Sequence, residues 1–217
     1  MERPARLAGW LVLVGVMIAL GYLSRASGGK PSPQVLYEWS TAIGGLIQDG
    51  IILAIVLWLA RDNWELLALR RPRSVLVAGR LLGIAILGIY IFEITYSAIA
   101  HPGNEQGLTP AHWEPSHAAA YVANGIVICT FIPFVEELTF RGLGYSLLEP
   151  YGRWIAILAV GVLFGLAHGL IVSLPVIAVL GSLLAWIRSR TDSVFPGMLL
   201  HSLFNLVALV AAVTISG

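Results

Sequence analysis

The sequence predicts an all-α fold: a polytopic membrane bundle of about seven transmembrane helices with a cytoplasmic N-terminus. Three observations predict it. Of the 217 residues, 58% are hydrophobic and only 12% charged, against about 45–50% and about 25% in an average soluble domain. Mean hydropathy is +0.84. Apolar stretches close to the length needed to span a bilayer recur along the whole chain. The same composition excludes a disordered chain, and a net charge of +1 with no isolated basic block excludes a nucleic-acid partner. One cysteine, Cys129, rules out an internal disulfide or a cysteine-rich zinc cluster.

The expected helices run over Leu7–Ser24, Ala42–Ala60, Val75–Ala100, Ala118–Leu148, Trp154–Leu174, Pro175–Ile187 and Val194–Ile215. The first follows Arg3 and Arg6 and is read as an uncleaved helix, because its apolar run is long for a signal peptide. The fourth is too long for a bilayer core, so it must tilt, kink or emerge. The sixth is short. The chain reads as a single transmembrane domain over 1–217, with N-terminal helices and a basic loop in 1–110 and a C-terminal core in 118–215. The loop His101–His117 holds His101, His112 and His117 among prolines and glycines, which reads as a solvated turn region and not a metal site.

Alternating loops place Arg3, Arg6, Arg61, Arg70, Arg71, Arg73, Arg80, Arg141, Arg153, Arg188 and Arg190 on one side of the bilayer. Arg25 and Lys30 fall on the other. The excess of basic residues marks the first side as cytoplasmic and the chain as a multi-pass protein of the cell membrane.

Ionisable groups inside a span are costly, so those present carry information. Asp49 and Glu93 stand alone in their helices and are read as facing a neighbouring helix or a wet cavity. Glu136 and Glu137 are adjacent, hence about 100° apart around a helix. Glu137 precedes Arg141 by four residues, the favourable order for an ion pair on one face. That leaves Glu136 to face inward. Pro133, one turn earlier, removes a backbone donor and leaves a bare carbonyl near the site. His168 borders a strip of Gly161, Gly165 and Gly169, which lets a second helix approach closely. His201 and Asn205, four apart, share one face of the last helix with Asn205 as uncharged company.

A carboxylate beside a histidine can take a proton from water and return it to a leaving amine. A histidine and an asparagine on a neighbouring helix supply donors for an oxyanion. With no protein nucleophile in the set, water attacks directly, and peptide hydrolysis within the membrane fits. No cofactor is needed for this chemistry. Two histidines and a carboxylate are also a catalytic zinc set, so Glu136, His168 and His201 are alternatively metal ligands.

Glu136-Glu137-Leu138-Thr139-Phe140-Arg141 resembles the EExxxR motif of the CPBP (Abi) intramembrane proteases. Phe164–His168 is similar to that family's FxxxH motif, and His201–Asn205 to its HxxxN motif, in the same order. Leu69-Arg70-Arg71-Pro72 is similar to a frequent feature of the preceding loop. The resemblance implies that Glu136 and His168 activate water, that His201 and Asn205 form the oxyanion hole, and that Glu137, Arg141 and Phe164 support them. The family includes type II CAAX prenyl endopeptidases and bacterial members linked to bacteriocin processing or self-immunity. The implied partners are the lipid bilayer and a peptide or protein substrate, prenylated in the CAAX case. A non-catalytic, peptide-gripping immunity protein of the same fold is the competing reading. A proton-coupled transporter using Asp49, Glu93 and Glu136 lacks the expected inverted repeat.

Overall fold

In the computed structural model the chain is a helical membrane bundle; the residues described are 2–28, 32, 34–103, 105 and 113–214. Among them there is no strand. Seven apolar helices run as α1 (Arg3–Ser27), α2 (Trp39–Ala60), α3 (Val75–Ala100), α4 (Pro115–Tyr151), α5 (Arg153–Ala167), α6 (Leu174–Thr191) and α7 (Phe195–Thr214). Six are long enough to cross a bilayer; α5 is the short one. The protein is therefore a multi-pass membrane protein, its outer faces lined with exposed leucine, isoleucine, valine and tryptophan.

Two expectations need correction. The short helix was placed at Pro175–Ile187, but α6 extends to Thr191 and α5 stops at Ala167 instead of Leu174. Gly169 is the reason. It sits at φ +65° outside the helix and against Gly21 of α1, where an added Cβ would come within 2.7 Å of backbone. Only glycine takes both that conformation and that contact easily. The glycine strip therefore divides: Gly161 and Gly165 receive α6 at Ala178 and Gly181, and Gly169 receives α1.

The loop between α5 and α6 is held by groups from three directions. Tyr22 and Tyr96 donate to Leu170 O and Val172 O. Glu105 accepts from the backbone N–H groups of Ile171, Val172 and Ser173 at 2.9, 3.2 and 2.7 Å and pairs with Arg25 at 2.8 Å. Irregular backbone between two membrane helices needs such partners.

The long helix α4 absorbs its length without breaking. It changes pitch, with π-helical stretches at Val127–Phe131 and Leu138–Gly144 on either side of the α-helical segment Ile132–Glu137. Asn124 ties its upper part to the entry of α2, donating to Leu36 O and Glu38 O. Trp10 of α1 donates to Thr139 O at 2.9 Å and lies where a side chain on Gly144 would strike its ring. Helices α2 and α4 run in the same direction, since Leu36 meets Asn124, Gly45 faces Ile132 and Leu67 meets Gly142.

The basic end of the bundle is cross-linked. Arg3 donates to Ser146 O, and Arg6 donates to Leu59 O and pairs with Asp62. Asp192, at φ +56° after α6, pairs with Arg70, Arg73 and Arg188 at 2.9, 3.2 and 2.9 Å. Burial pushes the Asp192 carboxyl up, but the Arg188 and Arg70 charges outweigh it and hold the group below its ordinary range. Its contribution to stability is therefore present above the ordinary carboxylate range and is lost as pH falls through the lowered value. In Asp192→Asn the left-handed backbone is retained and the charge lost. Most of these arginine partners are exposed, so we expect a cost of about 1–2 kcal/mol at neutral pH. Melting curves of wild type and variant should converge on acidification; a constant gap would mean that the charge contributes nothing.

Reporters fused after Arg73 or Arg190 should read cytoplasmic, and one fused within His101–His117 external. The opposite pattern would reverse the orientation.

Candidate active site

Glu136 lies on the α-helical segment of α4 between two histidines. Its Oε1 is 3.9 Å from His168 Nε2, and its Oε2 is 3.5 Å from His201 Nε2. His168 is the residue on which α5 ends, and its Nδ1 is 2.7 Å from Phe164 O, one turn back. A carbonyl only accepts, so Nδ1 carries the proton, and it is Nε2 that faces Glu136. His201 comes from α7 and is 3% exposed. Its Nδ1 is 3.4 Å from Glu137 Oε1, so each of its ring nitrogens faces a carboxylate oxygen.

Glu137 and Arg141 are both fully buried and meet at 2.9 Å. The contact is ionic and not aligned for a hydrogen bond. Arg141 Nη2 donates to Gly181 O at 3.0 Å, and its guanidinium lies 4.1 Å from the Phe164 ring centroid. The Phe164 ring meets those of His168 and His201 edge-on, with centroids 4.6 and 5.6 Å away. Phe164 thus carries the cation on one side and both imidazoles around its edge.

The structure therefore brings together Glu136, His168, His201, Glu137, Arg141 and Phe164. Asn205 is one turn beyond His201 on α7 and donates to Ile128 O at 2.9 Å, two turns before Glu136 on α4. Glu93 stands apart, lining a cavity of about 300 Å³ between α3 and α7 with Tyr90 and Phe204. Asp49 is 5% exposed on α2, one turn beyond Gly45, which faces Val127 and Ile132 of α4. Ile132 is one turn before Glu136, and the Asp49 and Glu136 charges act on each other. That proximity depends on the pairing of distant helices, so Asp49 read alone looks isolated. Gly197 was also missed. A Cβ there would come within 2.6 Å of Glu137 Oε2, so its bare backbone makes room for the carboxylate. A lone glycine near a helix start gives no such signal in sequence.

Among the described residues no three His, Cys, Asp or Glu side chains are grouped so as to hold a metal ion. Glu136 addresses the two histidines through opposite oxygens instead of converging with them on one point. The zinc reading thus finds no set of ligands, and no step is routed through a metal. In the histidine-bearing loop, His101 ends α3 at φ +49° and His117 lies 3.0 Å from Glu114; His112 is outside the described residues.

Residues 118–207 match the family model described as Rce1-like, type II CAAX prenyl endopeptidase. The match spans 90 of the 217 residues and is consistent with the CPBP family of CAAX-type intramembrane proteases. No curated protein and no solved structure matches the chain. The Rce1-like segment runs from the first turns of α4 into α7 and holds Glu136, His168, His201 and Asn205; Asp49 lies outside it.

Glu137→Gln and Gly197→Ala both disturb the carboxylate beside His201. Alanine itself favours a helix by about 0.5–1 kcal/mol over glycine, so Gly197→Ala should lose little melting temperature while activity falls by about tenfold or more. Glu137→Gln leaves Arg141 buried without a counter-charge and should melt early, with partial recovery on adding Arg141→Met. Full activity in Gly197→Ala would show that Glu137 does not hold His201.

Proposed function

We propose that the chain is an intramembrane endopeptidase that hydrolyses a peptide bond within the membrane with a water activated by Glu136 and His168. The observation that supports it is the arrangement at Glu136. Its Oε1 and, in the neutral ring, the Nε2 of His168 are two acceptors 3.9 Å apart. One water can donate a hydrogen to each, at about 2.8 Å, and so turn its lone pair towards a substrate carbonyl.

Attack forms the bond from water oxygen to carbonyl carbon as Glu136 takes the proton. The oxyanion is met by His201 and by the Asn205 N–H not engaged with Ile128. Collapse breaks the C–N bond, the proton passes from Glu136 to the amine, and the products are a carboxylic acid and an amine. Two hydrogen-bonding groups placed in advance do this without a covalent enzyme intermediate.

The Rce1-like domain favours a substrate whose C-terminus is processed in the CAAX manner, a prenylated peptide lying at the bilayer surface. The exposed apolar faces of the bundle suit a lipid-bearing substrate that approaches from the membrane. No observation favours the peptide-gripping alternative over turnover.

Purified protein should release the last three residues of a farnesylated CAAX peptide, detected by mass spectrometry. In Glu136→Gln, which keeps shape but loses the proton acceptor, the rate should fall by about 10²–10⁴-fold with the melting curve unchanged. Strong chelation should leave the wild-type rate largely intact. Loss of activity on chelation that zinc restores would make Glu136, His168 and His201 ligands. Binding of the peptide without cleavage would support the immunity-type reading.

A further inference from the structure

The helix that carries Glu136 lacks one backbone donor, and α7 supplies it. At the end of the π stretch Val127–Phe131, hydrogen bonds reach back five residues, with Ile132 N–H donating to Val127 O. The next donor in that register would be Pro133, which has no N–H, so Ile128 O has no partner in its own helix. Asn205 Nδ2 donates to that oxygen at 2.9 Å.

We propose that Asn205 is a positioning residue whose carboxamide replaces the hydrogen bond that Pro133 cannot make, and thereby fixes the helical register that turns Glu136 instead of Glu137 towards His168. A π turn is one residue inserted into an α-helix. Removing the insertion would turn everything below it by about 100°, the angle between neighbouring side chains. Glu136 and Glu137 are neighbours, so the π turn decides which of them meets the histidines. Ile128 O without a partner would favour return to the α register, where the ladder is drawn differently. Asn205 lies four residues after His201 on α7, so the element that presents the imidazole also sets the carboxylate opposite it. The inference rests on the proposed role of Glu136 as base.

The test is a double-mutant cycle on the full-length protein with the farnesylated CAAX peptide. Pro133→Ala restores an N–H; Asn205→Ala removes the carboxamide. In the wild-type background Asn205→Ala should lower kcat by at least about tenfold more than it does in the Pro133→Ala background, where only the oxyanion contact is lost, with KM nearly unchanged in both. Asn205→Asp, the same shape without the donor, should resemble Asn205→Ala. An equal loss in both backgrounds would overturn the proposal and leave Asn205 with only its contact to substrate. Melting temperatures of the same proteins form a second cycle, which is readable where a variant is inactive. The loss on Asn205→Ala should shrink once Pro133 is alanine, and an undiminished loss refutes the bond's role. If wild type leaves the peptide intact, the proposed function fails, and the melting cycle still decides whether Asn205 stands in for the Pro133 amide.

Discussion

Arg141 is a guanidinium with no access to solvent in the centre of a membrane bundle, and much of the site is arranged around it. A charge in that setting is tolerated only when its surroundings replace water. The replacement comes from separate helices: Glu137 of α4 neutralises it, Gly181 O of α6 accepts from it, and Phe164 of α5 lies beneath it. The same groups then touch the reactive residues. Glu137 faces His201, and Phe164 is wedged against both imidazoles. Satisfying one buried cation thus fixes the relative positions of the helices that supply the chemistry. In such a place a salt bridge matters less for net stability than for the single arrangement it permits.

Close approach of the backbones is what lets these short contacts form. An added Cβ on Gly161 or Gly181 would press on the opposite helix, and the carbonyl of the same Gly181 accepts from Arg141. Lipid provides no hydrophobic force between helices, so small residues and polar bonds hold α5 and α6 together. The π turns in α4 serve the same end. They rotate consecutive side chains away from the α spacing, which places Trp10 against Gly144 and opens Ile128 O to Asn205.

Much of this was legible in the sequence, because local rules governed it. Length and hydropathy set the number of helices, and α3 begins and ends at the expected residues. The four-residue spacing of Glu137 and Arg141 identified their pair, and the glycine spacing identified a close helix contact, though not that α6 makes it. What could not be read depends on three-dimensional pairing. Glycine at position 169 is the same residue type as at 161, yet it terminates a helix because Gly21 of α1 stands opposite. Pro133 signalled a bare carbonyl but not which oxygen, since that depends on the π register, nor that Asn205 would bond to it. Glu105, whose burial is outweighed by the hydrogen-bond donors that hold its carboxyl below the ordinary range, gave no sign in sequence that it ties the loop after His168.

Exposure changes sharply across the site, and the division matches the proposed division of labour. The Glu137 and Arg141 side chains are wholly excluded from solvent, whereas that of Glu136 is 14% exposed and that of His168 23%. Water is a reactant in the proposed peptide hydrolysis, and Glu136, the proposed base, is the carboxylate with access to it. The groups that only orient gain from dryness, because a low local dielectric strengthens each polar contact and holds it in one geometry. His201 spans the boundary, with its Nδ1 towards the dry Glu137 and its Nε2 towards the wetter Glu136. An imidazole in that position passes the rigidity of the buried pair to the edge where water enters. Two adjacent glutamates thus take opposite settings through about 100° of helix rotation, one turned into the packed interior and the other, the proposed base, towards the more open side of the site.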